Sequence, residues 1–241
     1  MESTTRPFHF KKFTINQEKC LMKVSTDSVL LGAWANIVGC KKILDIGTGT
    51  GILALMIAQR NELAEIHAVE IDDLAIDDAK NNIKNSPWEN KITLFHKSIQ
   101  DFSKLRLDTY DHIISNPPFF INSTLGPDKS RNNARHTLSL SFEEILKSSD
   151  ILLKKEGKLS IILPPNEAKE FQAVAINFGF YCNRKLEIYP KENKAVERVL
   201  LEYSKIQQVC IKDTLTIQKS DENNDYTEPY KELTKDFYKL F

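Results

Sequence analysis

Ile43-Leu44-Asp45-Ile46-Gly47-Thr48-Gly49-Thr50-Gly51 is the stretch that decides the fold. Its first four residues, apolar but for Asp45, read as a short buried strand. Glycines at three of the next five positions break that strand, and an apolar pattern at helical spacing then runs from Ile52 to Gln59. Working outward, residues 66–71 read as the next strand. Residues 72–85 read as a helix that opens on acidic side chains and stops before Pro87. Residues 92–95 and 110–115 supply a third and a fourth strand, and residues 142–153 a helix. Residues 158–163 form a fifth strand, closed by Pro164-Pro165, and residues 167–177 a helix ending near Gly179. Residues 181–188 and 198–203 read as a terminal antiparallel pair. This alternation predicts an α/β, doubly wound Rossmann-like fold: a mostly parallel seven-stranded sheet with a terminal antiparallel pair and helices on both faces.

The 241 residues fit one domain, with an N-terminal arm (1–40), a core sheet (41–205) and a C-terminal extension (206–241). Three segments fall outside the expected core. The arm, residues 8–34, mixes Lys11, Lys12, Lys19 and Lys23 with Phe8, Phe10 and Phe13. Residues 122–138 are too long for an ordinary strand-to-helix loop and read as either a functional lid or a disordered segment. Residues 218–228 are polar; after them Leu233, Phe237 and Leu240 recur at helical spacing and predict a last helix docked on the body.

Charge is balanced, with 33 basic and 33 acidic residues, so a polyanion must be held by local patches rather than by bulk attraction. Cys20, Cys40, Cys182 and Cys210 have no metal-ligand spacing, which argues against a zinc site or disulfide framework and for buried thiols in a reducing cytosol. No apolar run is long enough to span a bilayer. The expectation is a cytoplasmic monomer without a membrane segment or a metal.

The glycine loop with Glu70, which ends the next strand, forms a nucleotide signal: a carboxylate there accepts two hydrogen bonds from ribose hydroxyls. The third glycine comes one residue early for a dinucleotide site. Asp45 beside the loop would oppose a pyrophosphate, but it suits the amino group and sulfonium of S-adenosylmethionine.

Asn116-Pro117-Pro118-Phe119 follows the fourth strand at the sheet edge that faces the ligand crevice. Proline lacks a backbone donor. The Asn116 amide oxygen and the Pro117 carbonyl are therefore expected to accept from a planar NH2 group while Phe119 stacks on its plane. An exocyclic adenine amine is a poor nucleophile because its lone pair is delocalised. Accepting both of its N–H bonds favours pyramidalisation, which localises the lone pair toward a methyl donor. No titrating base is needed, and His67, His96 and His112 read as structural. A second Pro-Pro step, Pro164-Pro165-Asn166, reads as a plain strand end.

With these motifs the chain resembles class I S-adenosylmethionine-dependent N6-adenine methyltransferases. Within them it resembles the small bacterial enzymes that methylate adenine 37, beside the anticodon, in a valine tRNA. Phe10-Lys11-x-Phe13-x-Ile15, Met22-Lys23-Val24-x-Thr26-Asp27 and the tail Tyr226-Thr227 … Leu233-Thr234-Lys235-Asp236-Phe237-Tyr238 carry the more specific part of the likeness. The resemblance implies that Asp45, Gly47, Gly49, Gly51, Glu70 and Asn116 contact the cofactor, with Ile71 and Ile99 flanking its adenine. Where that pattern expects an Asp after the third strand, this chain has Ser98, three residues before Asp101. For a tRNA substrate, Lys11, Lys12 and Lys23 of the arm and Lys129, Arg131, Arg135 and His136 of the lid are expected to grip phosphates. A glutamine N5-methyltransferase acting on a protein release factor is the main alternative. It is disfavoured because only about forty residues precede the first strand, leaving little room for a docking domain. An rRNA adenine N6-methyltransferase and a non-catalytic cofactor-binding partner are further alternatives.

Overall fold

The computed structural model describes residues 6–105, 110–118, 140–222 and 224–241. Phe119 and the residues of the expected lid, with its Lys129, Arg131, Arg135 and His136, lie outside them.

A two-stranded hairpin, β1 (Phe8–His9) and β2 (Thr14–Ile15), precedes helix α1 (Thr26–Trp34). The central sheet then begins with β3 (Lys42–Ile46), followed by α2 (Ile52–Arg60), β4 (Glu65–Glu70), α3 (Asp73–Lys84) and β5 (Ile92–His96). After α4 (Ile99–Lys104) come β6 (Tyr110–Ser115), α5 (Phe142–Leu152), β7 (Leu153–Leu163) and α6 (Pro165–Asn177). Strands β8 (Tyr181–Lys191), β9 (Arg198–Ser204) and β10 (Ile211–Gln218) and helix α7 (Glu228–Thr234) complete the chain. The sheet runs β10-β8-β9-β7-β6-β3-β4-β5.

Strands β5, β4, β3, β6 and β7 are parallel and β8 with β9 forms the antiparallel pair, as the sequence predicts; β9 also lies antiparallel to β7. Among the described residues the expected count of seven is corrected to eight: β10 adds to the edge, parallel to β8. Of its eight residues only Leu215 is buried, so this strand buries too little of either face to announce itself by alternation.

Because side chains alternate across a strand, the sheet feeds two cores. On one face Ile43, Ile162 and Leu200 pack with α1, α2 and Ile83 of α3. On the other Leu44, Ile161 and Leu201 pack with α4, α5 and α6. The arm differs from the sequence expectation of a peripheral segment. Residues 29–31 of α1 are fully buried against α2, and Phe10 and Phe13 are 2% and 6% exposed. The hairpin and the C-terminal extension form one aromatic cluster, with Phe10 stacked on Tyr238 and Phe13 edge-on to Trp88. The last helix ends at Thr234; Phe237 docks beyond it, while Leu240 stays 57% exposed. The cysteines are free, and only Cys20 is buried.

Candidate functional site

The glycine loop turns where β3 ends, and its backbone requires glycine. Gly47 and Gly49 take φ of 70° and 57°, left-handed values that side chains resist. A Cβ on Gly47 would meet open space, and one on Gly49 only the Cys20 sulfur at 3.9 Å. The loop thus presents bare backbone toward a cleft. Gly47 and Thr48 donate to the Val69 carbonyl at 2.9 and 3.1 Å, which seats the loop against the end of β4.

Glu70, the last residue of β4, is 7% exposed and is held by three backbone donors. Gly49 donates to its Oε2 at 2.8 Å, and Ile71 and Asp72 donate to its Oε1 at 2.8 and 2.9 Å. Asp72 then caps α3 through Leu74 and Ala75. The carboxylate is fixed in orientation; Oε1 already accepts two donors, while Oε2 accepts one and retains capacity for a further donor, as a ribose hydroxyl supplies. Ile71 is 46% exposed and offers an apolar surface beside it.

Asp45 is fully buried at the root of the loop. Thr48 Oγ1 donates to its Oδ2 at 2.5 Å, while its Oδ1 meets no donor at hydrogen-bonding geometry among the described residues. Burial pushes its carboxyl up to about 7, against the Thr48 hydroxyl and a small pull from the Ala54 amide. A buried acid poised to ionise beside an open glycine cradle fits the cationic S-adenosylmethionine expected from the sequence.

Asn116 leaves β6 at the same sheet edge. Its Nδ2 donates to Ser28 Oγ at 2.9 Å. Its Oδ1 is shielded from solvent and has no partner among the described residues. A buried acceptor without a donor costs roughly 1–3 kcal/mol, and an incoming N–H would satisfy it. Ser115 Oγ donates to the Ile46 carbonyl at 2.9 Å and ties this turn to the glycine loop. Pro117 is buried and Pro118 half-buried.

Three contributors escaped the sequence reading. Ser28, in the first turn of α1, was unremarkable as one serine in a segment read as an arm. Asp78 and Asn82 of α3 also bind that segment to the loop. Asp78 accepts from the Lys19 and Cys20 amides at 2.9 and 2.8 Å. Asn82 accepts from the Asn16 amide and donates to the Asn16 and Thr50 carbonyls, at 2.8 to 2.9 Å. Buried polar residues on a helix, such as these, were the available signal.

Ser98 and Ile99 follow β5 beside Glu70, where His96 pairs with Glu70 and the Lys97 amide donates to the Glu70 carbonyl at 2.9 Å. Ser98 is the N-cap of α4, accepting from the Asp101 amide at 3.1 Å and donating to its carboxylate at 2.9 Å. Lys104 and Ser98 together hold the Asp101 carboxyl below the usual range. Ile99 is buried. Lys11 Nζ donates to the carbonyls of Lys235 and Phe241, and Lys23 Nζ to that of Gln17, all at 2.5 Å; Lys12 is exposed. His67 bonds Tyr110 and Glu65, and buried His112 bonds Ser160. Among the described residues no cluster of His, Cys, Asp and Glu could hold a metal ion, and no helix is long and apolar enough to cross a membrane.

Comparison with known proteins places this geometry. The methyltransferase small domain profile matches residues 26–181, beginning at the first residue of α1. The tRNA1(Val) (adenine(37)-N6)-methyltransferase of Bacteroides thetaiotaomicron is 43% identical over 233 residues, 96% of each chain. The enzyme of that name from Histophilus somni strain 2336 is 44% identical, covering 97% of this chain and 98% of its own. Among solved structures, one described as a predicted O-methyltransferase of Agrobacterium tumefaciens superposes with a TM-score of 0.65. At 19% identity, over 88% of this chain and 96% of that one, the likeness is one of fold.

Proposed function

Because the chain belongs to the tRNA1(Val) (adenine(37)-N6)-methyltransferase family, we propose that it methylates the N6 amine of adenine 37, beside the anticodon of a valine tRNA. It does so as a cytoplasmic monomer that uses S-adenosylmethionine. The observation that carries the chemistry is the Asn116 amide: oxygen buried and without a partner, nitrogen fastened to Ser28. Such an oxygen accepts a hydrogen bond from one amine N–H and draws the nitrogen lone pair out of conjugation.

S-adenosylmethionine supplies an electrophilic methyl on a positively charged sulfur. The chain supplies position and field. Glu70 accepts from the ribose, the bare backbone of Gly47, Gly49 and Gly51 lets the donor approach, and Asp45 in its ionised form opposes the positive charge. Asn116 stands across from them at the crevice, where the ends of β3 and β6 adjoin. With amine and methyl held in line, the rate gain comes mainly from alignment. Attack of the N6 lone pair on the methyl leaves a positively charged N6-methylated product, which loses its proton readily to water, so no titrating side chain is required beside Asn116. Flipping the adenine out of its loop costs a few kcal/mol, which stacking on the Phe119 ring offsets in part. Lys11, Lys12, Lys23, Lys129, Arg131 and Arg135 are assigned to phosphate contacts; for Lys11 and Lys23 this means exchanging the carbonyls they now hold.

The test is direct. Purified protein is incubated with methyl-labelled cofactor and total tRNA from a strain lacking this gene, and the modified nucleoside is located. Label in N6-methyladenosine at position 37 of one valine isoacceptor is expected. Label in a glutamine side chain of a release factor, with none in RNA, would overturn the reading in favour of the amide-methylating alternative.

A further inference from the structure

A groove of about 730 Å³ opens between the first turn of α1, the ends of β8 and β9, and the C-terminal extension. We propose that it receives the base of a nucleotide adjoining the target adenine. The inference rests on the RNA-adenine reading and extends it to a second recognition site.

Position comes first. Ile188, Arg198 and Gln218 line the groove. Register pairs Ile188 with Arg198, Lys191 with Gln218 and Leu163 with Val199. Since β7 is parallel to β6, the groove lies at the sheet edge where Asn116 stands. The two sites also share an element. Ser25 lines the groove, and its Oγ is 3.4 Å from the Ser28 Oγ that holds Asn116. The rim of the groove at Ser25 therefore adjoins, through Ser28, the residue that carries the acceptor amide.

The walls choose the ligand. Tyr226 stacks on Tyr230 with centroids 5.2 Å apart, and Tyr238 stands edge-on to Phe241 at 5.8 Å. Tyr226 and Tyr238 are only partly buried, so ring surface is left over. Unstacked RNA bases are recognised by stacking on aromatic side chains and by hydrogen bonds along their edges. The charged groups exclude a phosphate as the main occupant. Asp27, paired with Arg198 at 2.7 Å, and Glu197 offset Arg198 and Lys239, so an anion would face two carboxylates. A neutral base with donors and acceptors on its edge meets partners of both kinds. The cavity is also within the size range of small planar-ligand sites.

The experiment uses the full chain and valine tRNA carrying an abasic residue immediately 5′ or 3′ of the target adenine. Tyr226→Leu keeps the packing volume and removes the ring; Tyr226→Phe restores the ring. On intact tRNA, Tyr226→Leu is expected to lower kcat/KM about tenfold, Tyr226→Phe to stay near the parent, and both to keep the parent's cofactor Kd. One of the two abasic tRNAs should lower the parent by a similar factor and cause no further loss with Tyr226→Leu. Parent-like turnover by Tyr226→Leu on intact tRNA, or losses that multiply, would overturn the groove assignment while leaving the methylation reading intact. Absence of parent activity on intact tRNA would instead overturn the RNA-adenine reading, and the groove with it.

Discussion

Two Pro-Pro steps leave adjacent parallel strands at the same edge of the sheet, and they do opposite things. After β7, Pro164 takes the N-cap of α6 and Pro165 its first turn, where a missing N–H costs nothing and a fixed φ is already helical. The Ala168 amide donates to the Pro164 carbonyl at 2.8 Å, and Asn166 is exposed. After β6, the Asn comes first. Its nitrogen is fastened to Ser28 and its oxygen is buried without a partner. The prolines are common to both; what separates a site from a helix start is an acceptor left unsatisfied at a cost.

The largest expected effect breaks this comparison outright. Asn116→Ala removes the acceptor. By analogy with the loss of one preorganised transition-state contact, it should lower kcat about 10²–10³-fold or more while cofactor affinity stays within a few fold. Asn166→Ala should leave both unchanged. Single-turnover methylation and a cofactor titration on the two variants check this, and equal effects at the two positions would dissolve the distinction.

The prolines, the asparagine order and the neighbouring strand ends are all legible in the sequence, because strand ends and proline act locally. So are the glycine loop and Glu70, since a strand, a tight turn and a helix start announce themselves by periodicity and by glycine. What holds Asn116 is not legible. Ser28 lies 88 residues away along the chain, and only the packing of α1 against α2 brings it in. The same holds for Asp78 and Asn82, whose partners are backbone groups of a distant segment that carry no side-chain signature. Phe10 and Phe13 read as part of an arm outside the core because their partners, Trp88 and Tyr238, come from far downstream. Strand β10 escaped for an energetic reason: an edge strand that buries one residue has little pattern to show.

Ser28 sharpens the comparison at the next level down. Ser28→Ala leaves the Asn116 nitrogen without its acceptor and lets the amide rotate. The loss of one hydrogen bond, about 0.5–1.5 kcal/mol, predicts a fall in kcat of about 3- to 10-fold with cofactor Kd unchanged. Ser28→Thr should recover part of it. A change in cofactor affinity instead would move Ser28 from amine positioning to donor binding.

Asp45 tests whether the crevice edge is tuned for a cation. In the protein without donor its carboxyl stands near 7, raised by burial, against an ordinary value of 3.8. Below 7 the neutral acid predominates, and binding a positively charged sulfur must expel its proton. Cofactor affinity should therefore rise with pH, by up to tenfold per unit, and level off above about 7. Asp45→Asn should bind more weakly with a flatter profile. The sign for stability is opposite. The folded protein holds this proton more tightly than the unfolded chain, so the Asp45 contribution to stability is greatest below pH 3.8, declines through the window from 3.8 to about 7, and is constant above it. Isothermal titration at several pH values, with and without the substitution, separates the two trends.

The smallest effect belongs to the inert step. Pro165 restricts the unfolded chain and fits the first turn of α6 without strain, so Pro165→Ala should lower stability by about 0.4–1 kcal/mol and leave methylation untouched. The same exchange at Pro117 differs in kind. Pro117 is buried, and alanine there adds a backbone N–H to a turn whose value lies in accepting, not donating. If that donor finds no partner it costs about 1–3 kcal/mol; if it turns toward the Asn116 oxygen it satisfies the acceptor that the substrate amine needs. Either way turnover falls, whereas at Pro165 only the melting curve moves. Chemical denaturation and turnover measured on both variants therefore test the physical claim beneath the comparison: proline after β7 shapes the chain, and proline after β6 keeps an acceptor unpaired.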